Sequence, residues 1–255
     1  MNKLSVWVCM VIFAFAAVSA VQAQDFQGFY VGANAGAAYG SSDAQTTTVF
    51  SPTGYFATTS PGAIAIAGNE ELRAARFTGG AQAGYNHQNG NWVFGVETDM
   101  GSAHLHDSAT QSGTYPCCAP TGFTVTQTIN TDWLFTLRPR VGYAHGSVLL
   151  YGTGGLAVTN LNFNSQFTDT FATAAASVSF AENVRGWTAG GGIEVKTSKH
   201  WSLKGEFLWL DFGSFTKTSN NLTAFSPPIA FPTNPFTANW DLTSKAIRFG
   251  ANYHF

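Results

Sequence analysis

The chain has 255 residues, of which 10% are charged, 15% are aromatic and 27 are glycine. Its formal net charge of -2 at pH 7 argues against a polyanionic partner such as nucleic acid. Beyond the first 23 residues there is no run of about 18 apolar residues, which excludes a membrane-spanning helix from that part of the chain.

The N-terminal segment has the pattern of a secretory signal peptide. Lys3 supplies one early positive charge, residues 4–18 are apolar apart from one serine, and small residues lead to a cleavage position after Ala23. A transmembrane anchor is the competing interpretation, but the apolar run is shorter than the roughly 20 residues that cross a bilayer. We therefore expect a signal peptide over residues 1–23 and one mature domain over residues 24–255.

Alternation of apolar residues with polar residues or glycine recurs along the mature chain and predicts β-strands. The pair Asn89-Gly90 lies between two such runs and is a strong signal for a tight hairpin. Pro139 interrupts another run and, because it lacks an amide hydrogen, weakens the expectation of regular pairing there. The eight predicted strands cover residues 28–40, 76–87, 92–101, 133–144, 148–158, 187–196, 201–210 and 247–255.

The connections between these strands alternate between short turns and links of about 25 to 30 residues. Such long links count against a compact soluble domain, whereas an outer-membrane barrel combines short periplasmic turns with long extracellular loops. Strands of about ten residues also match the length that crosses a bilayer at a tilt. We therefore predict an all-β fold, an eight-stranded antiparallel up-and-down transmembrane β-barrel with both termini periplasmic. The four extracellular loops are expected over residues 40–72, 102–132, 159–185 and 213–241.

Aromatic residues near the short turns predict a girdle at the periplasmic interface, as outer-membrane barrels generally show. The predicted girdle consists of Trp92, Tyr143, Trp187 and Trp201.

The charged residues in the central parts of the predicted strands share one parity, which also carries glycines and polar residues. In water this face would turn outward and give a lipocalin-like soluble cup. Aromatic residues at strand ends, small residues beside the charges and an aromatic C-terminus favour the inverse arrangement, with the charges inside. Four acids and four bases in an interior just wide enough for side chains predict a plugged, ion-paired core. The predicted network consists of Glu97, Asp99, Arg138, Arg140, Glu194, Lys204, Glu206 and Arg248.

Segments spread over the chain carry a resemblance to a known family, among them NWVFGVETDMG, WLFTLRPRVGYA, GWTAGGGIEVK and IRFGANYHF. Together they resemble the OmpA-like outer-membrane barrel domains, in particular the small surface porin-family proteins of alphaproteobacteria. The resemblance covers nearly all of the mature chain and implies a location among outer-membrane lipid and lipopolysaccharide. It also implies that the C-terminal alternation is the signal that the barrel-assembly machinery reads. That signal would comprise Ile247, Phe249, Tyr253 and Phe255.

A structural, surface-exposed envelope protein requires no catalytic group, and it is the function that these features favour. No cofactor, metal or enzymatic activity is expected, and the sequence does not identify a ligand for the extracellular loops. One alternative is a narrow porin for small solutes, although eight strands scarcely provide an open lumen. Another, which the resemblance allows, is a surface binder of a haem-type ligand.

The segment AHLHDSA places several reactive side chains just after the third predicted strand. His104, His106, Asp107 and Ser108 allow the hypothesis of a lipid-modifying enzyme with a hydroxyl activated by imidazole. The two imidazoles also allow a metal site, although two ligands alone make a weak one. We favour a polar exit from the strand, built from common residue types.

Cys117 and Cys118 are adjacent in the second predicted loop. An exported chain meets oxidising conditions, in which thiols tend to pair. Adjacent Cα atoms are only about 3.8 Å apart, closer than in ordinary disulfides, so a bond between these two would be strained. We interpret the pair as part of a locally constrained loop tip without a redox function.

Overall fold

The computed structural model describes residues 25–255, and the predicted signal peptide lies outside the described residues. Eight long strands dominate it: β1 (Gly28–Thr48), β2 (Asn69–Asn89), β3 (Trp92–Thr114), β4 (Gly122–His145), β5 (Val148–Asp169), β6 (Ala175–Lys196), β7 (Trp201–Ser219) and β10 (Phe236–His254). Three small elements lie in the connections: α1 (Ser60–Ala67), β8 (Thr223–Ala224) and β9 (Ile229–Ala230).

The eight long strands form a closed antiparallel ring. Each pairs with its neighbour in the chain, and β10 pairs with β1 to close the ring. The predicted eight-stranded up-and-down barrel is therefore confirmed. In the described part of the chain no helix is long and apolar enough to cross a bilayer.

Short turns join the strands at one end of the barrel, which we call the turn end. Two of them contain Gly90 and Gly146, with φ values of +59° and +61°, in the left-handed region that favours glycine. β2 ends at Asn89 and β3 begins at Trp92, so the hairpin predicted at Asn89-Gly90 is confirmed. The opposite end, where the other four connections lie, we call the loop end.

The strands are 19 to 24 residues long, about twice the predicted length. They extend deep into the four ranges that we expected to be loops, so those boundaries were wrong. The segment Phe123 to Ile129 of β4 shows the reason, because its buried residues alternate with Thr124, Thr126 and Thr128. Threonine is β-branched and suits a strand, although a high threonine content is also typical of loops.

The barrel has two halves that pack in opposite ways. In the half near the turn end, which we call the membrane half, apolar side chains such as Leu137 and Val141 face outward and Arg138 faces inward. In the half near the loop end, the loop half, Phe123 is buried inside and Thr124 lies outside. The outward side chains of the membrane half suit lipid and those of the loop half suit water.

Irregularities in the ladder lie where the two halves meet. The register shifts between Ser102 and Leu105 on β3 and between Asp241 and Thr243 on β10. A third shift lies between Asn130 and Leu134 on β4. On β4 the shift exchanges the inward and outward faces, because an extra residue reverses the alternation beyond it, so that Ile129 is buried on one side of it and Thr136 on the other. On β3 and β10 the same alternation continues through the shift, as the burial of Asp99 and Leu105 and of Trp240 and Arg248 shows.

The loop half divides into two four-stranded sheets, because two ladders end early. Pairing between β2 and β3 extends from the turn end only to Gly80 opposite Gly101, and pairing between β6 and β7 only to Trp187 opposite Asp211. One sheet continues as β3 to β6 and the other as β7, β10, β1 and β2. Aromatic side chains fill the space between them.

Stacked rings join these two sheets across the core. Phe163 of β5 and Trp240 of β10 lie with ring centroids 4.3 Å apart, and Phe180 and Phe215 pack beside Trp240. Ile64 of α1 is fully buried in the same cluster. The loop half is therefore built like an ordinary protein with an apolar interior.

Three of the four residues of the predicted aromatic girdle lie near the turn end, as expected. Trp92 lies 5.7 Å from Tyr143, and Trp201 lies 5.4 Å from Tyr253, all near the turn end. Trp187 was assigned wrongly, because it lies at the opposite edge of the apolar belt, beside Trp209.

Pro139 is accommodated within β4. It faces outward opposite Val96 of β3, and direct pairing with β5 stops at Leu137 and resumes at Arg140. The missing amide hydrogen is thus placed at a gap in the ladder.

The predicted topology, with turns in the periplasm, is testable with inserted epitope tags. A tag after Gly90 should be invisible to antibody on intact cells, whereas a tag after the exposed Asn220 should be labelled. Permeabilised cells should show both tags and so control for expression. Labelling of the Gly90 tag on intact cells would show that the turns face the outside of the cell and would contradict the predicted topology.

Candidate functional site

The eight charged residues predicted to lie inside the barrel form one buried cluster, and their side chains are at most 4% exposed. They come from β3, β4, β6, β7 and β10, so the cluster spans the lumen of the membrane half. The period-two alternation places them on the inward face. We call this cluster the charge network.

Glu97 is at the centre of the charge network. Arg138 Nη2 lies 2.8 Å and Lys204 Nζ 2.7 Å from Glu97 Oε1. Arg140 Nη1 lies 3.5 Å from the other carboxylate oxygen, to which the Tyr30 hydroxyl also donates a hydrogen bond of 2.8 Å. One carboxylate thus contacts three cations from two strands.

Two further carboxylates, Asp99 and Glu206, share their cations. Arg138 Nη2 lies 2.9 Å from Asp99, and its Nη1 lies 3.1 Å from Glu206. Arg248 contacts the same two carboxylates at 2.8 and 3.1 Å. Thr136 donates to Asp99 at 2.5 Å, and Tyr151 donates to Glu206 at 3.0 Å.

Glu194 lies in the part of the charge network nearest the turn end. Arg140 Nη1 lies 3.0 Å from one of its oxygens. Ser202 and Asn252 donate hydrogen bonds of 2.6 and 2.8 Å to the other oxygen, and His254 Nε2 lies 3.3 Å from it. This carboxylate is therefore surrounded by donors from three strands.

Several members of the site were not predicted from the sequence. They are the further partners Tyr30, Thr136, Tyr151, Ser202, Asn252 and His254. A signal was available for Thr136, Ser202, Asn252 and His254, because they have the same inward parity as the charges on their strands. The two tyrosines also hold the Arg140 guanidinium between aromatic faces, with Cζ 4.8 Å from the Tyr30 ring centroid and 5.1 Å from that of Tyr151.

Phe26 closes the lumen at the turn end, which the sequence did not indicate. Its side chain is fully buried against Val93 and Leu149. Its amide donates to Gln88 Oε1 at 2.8 Å, and its carbonyl accepts from Asn86 Nδ2 at 3.0 Å. The lumen therefore contains a phenylalanine layer, then the charge network, and then the aromatic core of the loop half.

The reactive side chains of the segment AHLHDSA lie on β3 in the loop half. His104 and His106 are exposed, and the Asp107 carboxylate accepts a hydrogen bond of 2.7 Å from the Arg73 amide. Ser108 Oγ lies 3.0 Å from Thr128 Oγ1 on the neighbouring strand. Across residues 25–255 no hydrogen bond joins Ser108 to either histidine, and no three His, Cys, Asp or Glu side chains are grouped to hold a metal.

At the loop end a buried carboxylate ties three connections together. Asp169 Oδ2 accepts hydrogen bonds from Tyr55 at 2.5 Å and from Tyr115 at 3.1 Å. Burial raises the pKa of both tyrosines, and the adjacent carboxylate raises it further, so both hydroxyls remain protonated donors. Cys117 and Cys118, in the connection that Tyr115 begins, are joined by a disulfide.

The C-terminal residues lie on the outer surface at the turn end. Ile247, Phe249 and Phe255 are exposed on the apolar belt, and the ring of Tyr253 lies 5.3 Å from that of Phe255. The Phe255 amide donates to the Phe29 carbonyl at 3.1 Å. The final residue is thus held at the seam between the first and last strands.

The apolar belt, the closed ring and the charged interior together define an integral β-barrel of the outer membrane. The chain belongs to the family described as "Outer membrane protein beta-barrel domain", whose family model matches residues 8–255. Its location in the outer membrane follows from that family and from the relatives described next.

Curated relatives are outer-membrane proteins of alphaproteobacteria. The chain is 29% identical to the 31 kDa outer-membrane immunogenic protein of Brucella melitensis over 74% of this chain and 71% of that one. It is 28% identical to the 22 kDa outer membrane protein of Rhizobium leguminosarum over 54% of each chain. The names of these relatives describe outer-membrane proteins and not enzymes.

Among solved structures, the outer membrane protein OprG of Pseudomonas aeruginosa matches with a TM-score of 0.46 and 13% identity. The match covers 92% of this chain and all of OprG. Similarity at this level carries no information about what this chain binds.

The charge network predicts a large cost for the loss of one of its members. Arg138→Ala would remove a cation that contacts Glu97, Asp99 and Glu206 at once, and breaking a buried ion pair costs about 3–5 kcal/mol. Urea unfolding of the refolded barrel, followed by its mobility on unboiled gels, would measure this loss. The exposed Arg185→Ala is the matched control and should change stability by less than about 0.5 kcal/mol. Equal stability of the two variants would show that the charge network does not hold the barrel together.

Proposed function

We propose that this protein is a non-conducting structural barrel that carries a rigid, water-exposed domain on the outer face of the outer membrane. The observation behind this proposal is that side chains fill the lumen from one end to the other. Phe26 fills the turn end, the charge network fills the membrane half, and aromatic rings fill the loop half. An eight-stranded barrel leaves little room beyond such side chains.

The orientation proposed here places the loop half outside the cell. Outer-membrane barrels generally have short turns and chain termini on the periplasmic side. The first described residue and Phe255 both lie at the turn end. The Brucella relatives are named immunogenic, which supports an exposed domain in this chain as well.

We propose no catalytic activity and no resident cofactor. The hydroxyl of Ser108 contacts a threonine, and His104 and His106 face outward from the edge of a sheet. This arrangement supports the interpretation of AHLHDSA as a polar strand exit in preference to an activated nucleophile, which needs an adjacent base. The tight aromatic core likewise argues against a haem-type site inside the loop half.

The proposed partners follow from the outer surface of the membrane half. Exposed side chains such as Phe77, Met100 and Phe207 form a belt suited to outer-membrane lipid and lipopolysaccharide. The C-terminal alternation that ends at Phe255 is proposed to be read by the barrel-assembly machinery. Nucleic acid is not a proposed partner, because the formal net charge is -2.

Single-channel recording of the refolded wild-type protein tests the filled lumen directly. We expect no ion-selective openings in a planar bilayer, because no open path crosses the charge network. An open porin incorporated in the same bilayer controls for insertion and recording, and unboiled gels verify that the protein is folded. Steady ion-selective openings of the wild type would overturn the proposal and favour a narrow porin.

Deletion of Phe255 tests the proposed assembly signal. We expect less folded barrel in the outer membrane with unchanged export across the inner membrane, because the terminal aromatic residue is removed. Phe255→Tyr keeps an aromatic ring and should assemble normally, which controls for the position itself. Fractionation with unboiled gels measures both pools, and a normal folded level in the deletion would contradict this role.

A further inference from the structure

We propose that a groove on the outer surface of the barrel binds the phosphate group of a lipid in the leaflet next to the loop half. The groove lies across β10, β1 and β2 and has a volume of about 270 Å³. We call it the boundary groove. The side chains that line it and carry the argument are Tyr39, Ser41, Arg73, Ala75, Thr243 and Lys245.

The boundary groove begins where the apolar belt ends. Phe77 and Ile247 are large, exposed apolar side chains on the outer face of β2 and β10. Two residues further toward the loop end, on the same faces, lie Ala75 and Lys245, and both pair with Tyr39 of β1. A lipid whose acyl chains lie against the belt would therefore have its headgroup at the level of the groove.

The lining of the groove supplies donors suited to a phosphate. Ser41 of β1 is in register with Thr243 on one side and with Arg73 on the other. The hydroxyls of Ser41 and Thr243 lie 3.0 Å apart, so one donates to the other and the second keeps an O–H that can donate to a phosphate. With Arg73 and Lys245 they provide two cations and two hydroxyls around one cleft, the groups that bind phosphate oxygens elsewhere.

Along the strands that line the groove, the cations lie nearer the apolar belt and the carboxylates of Glu71 and Asp43 lie further from it. Lys245 forms no ion pair within residues 25–255, and Arg73 is paired only with Glu71 on the exposed surface. This pair is bidentate, with Nε 2.5 Å and Nη2 2.6 Å from the two Glu71 oxygens, but it is exposed to water and salt, so a phosphate can compete with Glu71 for the guanidinium. The carboxylates of Glu71 and Asp43 lie one step further from the belt, opposite each other. An anion at the edge of the belt therefore meets the cations first.

These features select a phosphorylated lipid over a soluble anion. The belt residues below the groove provide a surface for acyl chains, and the groove above provides the cations. A lipid with acyl chains and a phosphate group can therefore contact both surfaces at once. Basic residues next to a bilayer attract anionic headgroups in this way. This inference rests on the proposed orientation, in which the leaflet at the loop half is the outer leaflet of the outer membrane.

The test is a titration of the refolded full-length protein in detergent with bisphosphorylated lipid A, followed by native mass spectrometry. We expect the wild type to retain lipid A and the double variant Arg73→Gln, Lys245→Gln to bind it about tenfold or more weakly, because two headgroup cations are removed. The matched control is Arg185→Gln, Lys217→Gln, which removes the same two residue types from exposed positions on β6 and β7. It should bind like the wild type.

Two further arms identify the chemistry that is bound. Dephosphorylated lipid A should bind the wild type about as weakly as bisphosphorylated lipid A binds the groove variant. Inorganic phosphate at the same concentration should not displace bisphosphorylated lipid A. Equal binding by wild type and groove variant, an equal loss in the control, equal binding of dephosphorylated lipid A, or displacement by inorganic phosphate would each overturn the proposal. A conducting wild-type barrel would overturn the proposed function without altering these titrations.

Discussion

Charges inside an eight-stranded barrel must be neutralised by each other, because lipid surrounds the membrane half and the interior is too narrow for a bulk-water channel. Arg138 illustrates this constraint, since its guanidinium lies within 3.1 Å of Glu97, Asp99 and Glu206 at once. Each carboxylate in turn contacts more than one strand. The closure of the sheet, the register of its strands and the equal number of acids and bases therefore depend on one another.

The same chain meets a different solvent in its loop half, and its packing reverses accordingly. On β4 the inward residues change from Arg138 to Val125, and the outward residues change from Leu137 to Thr126. The ladder irregularity between Asn130 and Leu134 lies between these two regions. The barrel thereby combines a membrane half with a charged interior and a loop half with a conventional apolar core. The membrane half holds the loop half in position at the membrane surface.

The alternation of residues was sufficient to predict the ring, the hairpin at Asn89-Gly90 and the inward face of the charged positions. It was insufficient in the loop half, where the alternation of residues indicated strands but the polar composition indicated loops. Thr124 and Thr126 were assigned to a loop, because the inversion of inside and outside in the loop half was not considered. Trp187 was assigned to the wrong edge of the belt, although the predicted strand over residues 187–196 already places it beside a long link and about ten residues before the next short turn. The position of Phe26 in the lumen depends on contacts distant in the chain, which no local pattern contains.

A nitroxide scan of outward positions on β4 tests the reversal of packing most directly. Single cysteines at Thr124, Thr126, Leu137 and Val141, in a background where serine replaces Cys117 and Cys118, would carry the spin label in lipid vesicles. We predict that labels at Thr124 and Thr126 collide mainly with a water-soluble nickel complex, and that labels at Leu137 and Val141 collide mainly with oxygen dissolved in lipid. Lipid-like accessibility at Thr124 and Thr126, or water-like accessibility at Leu137, would contradict the account.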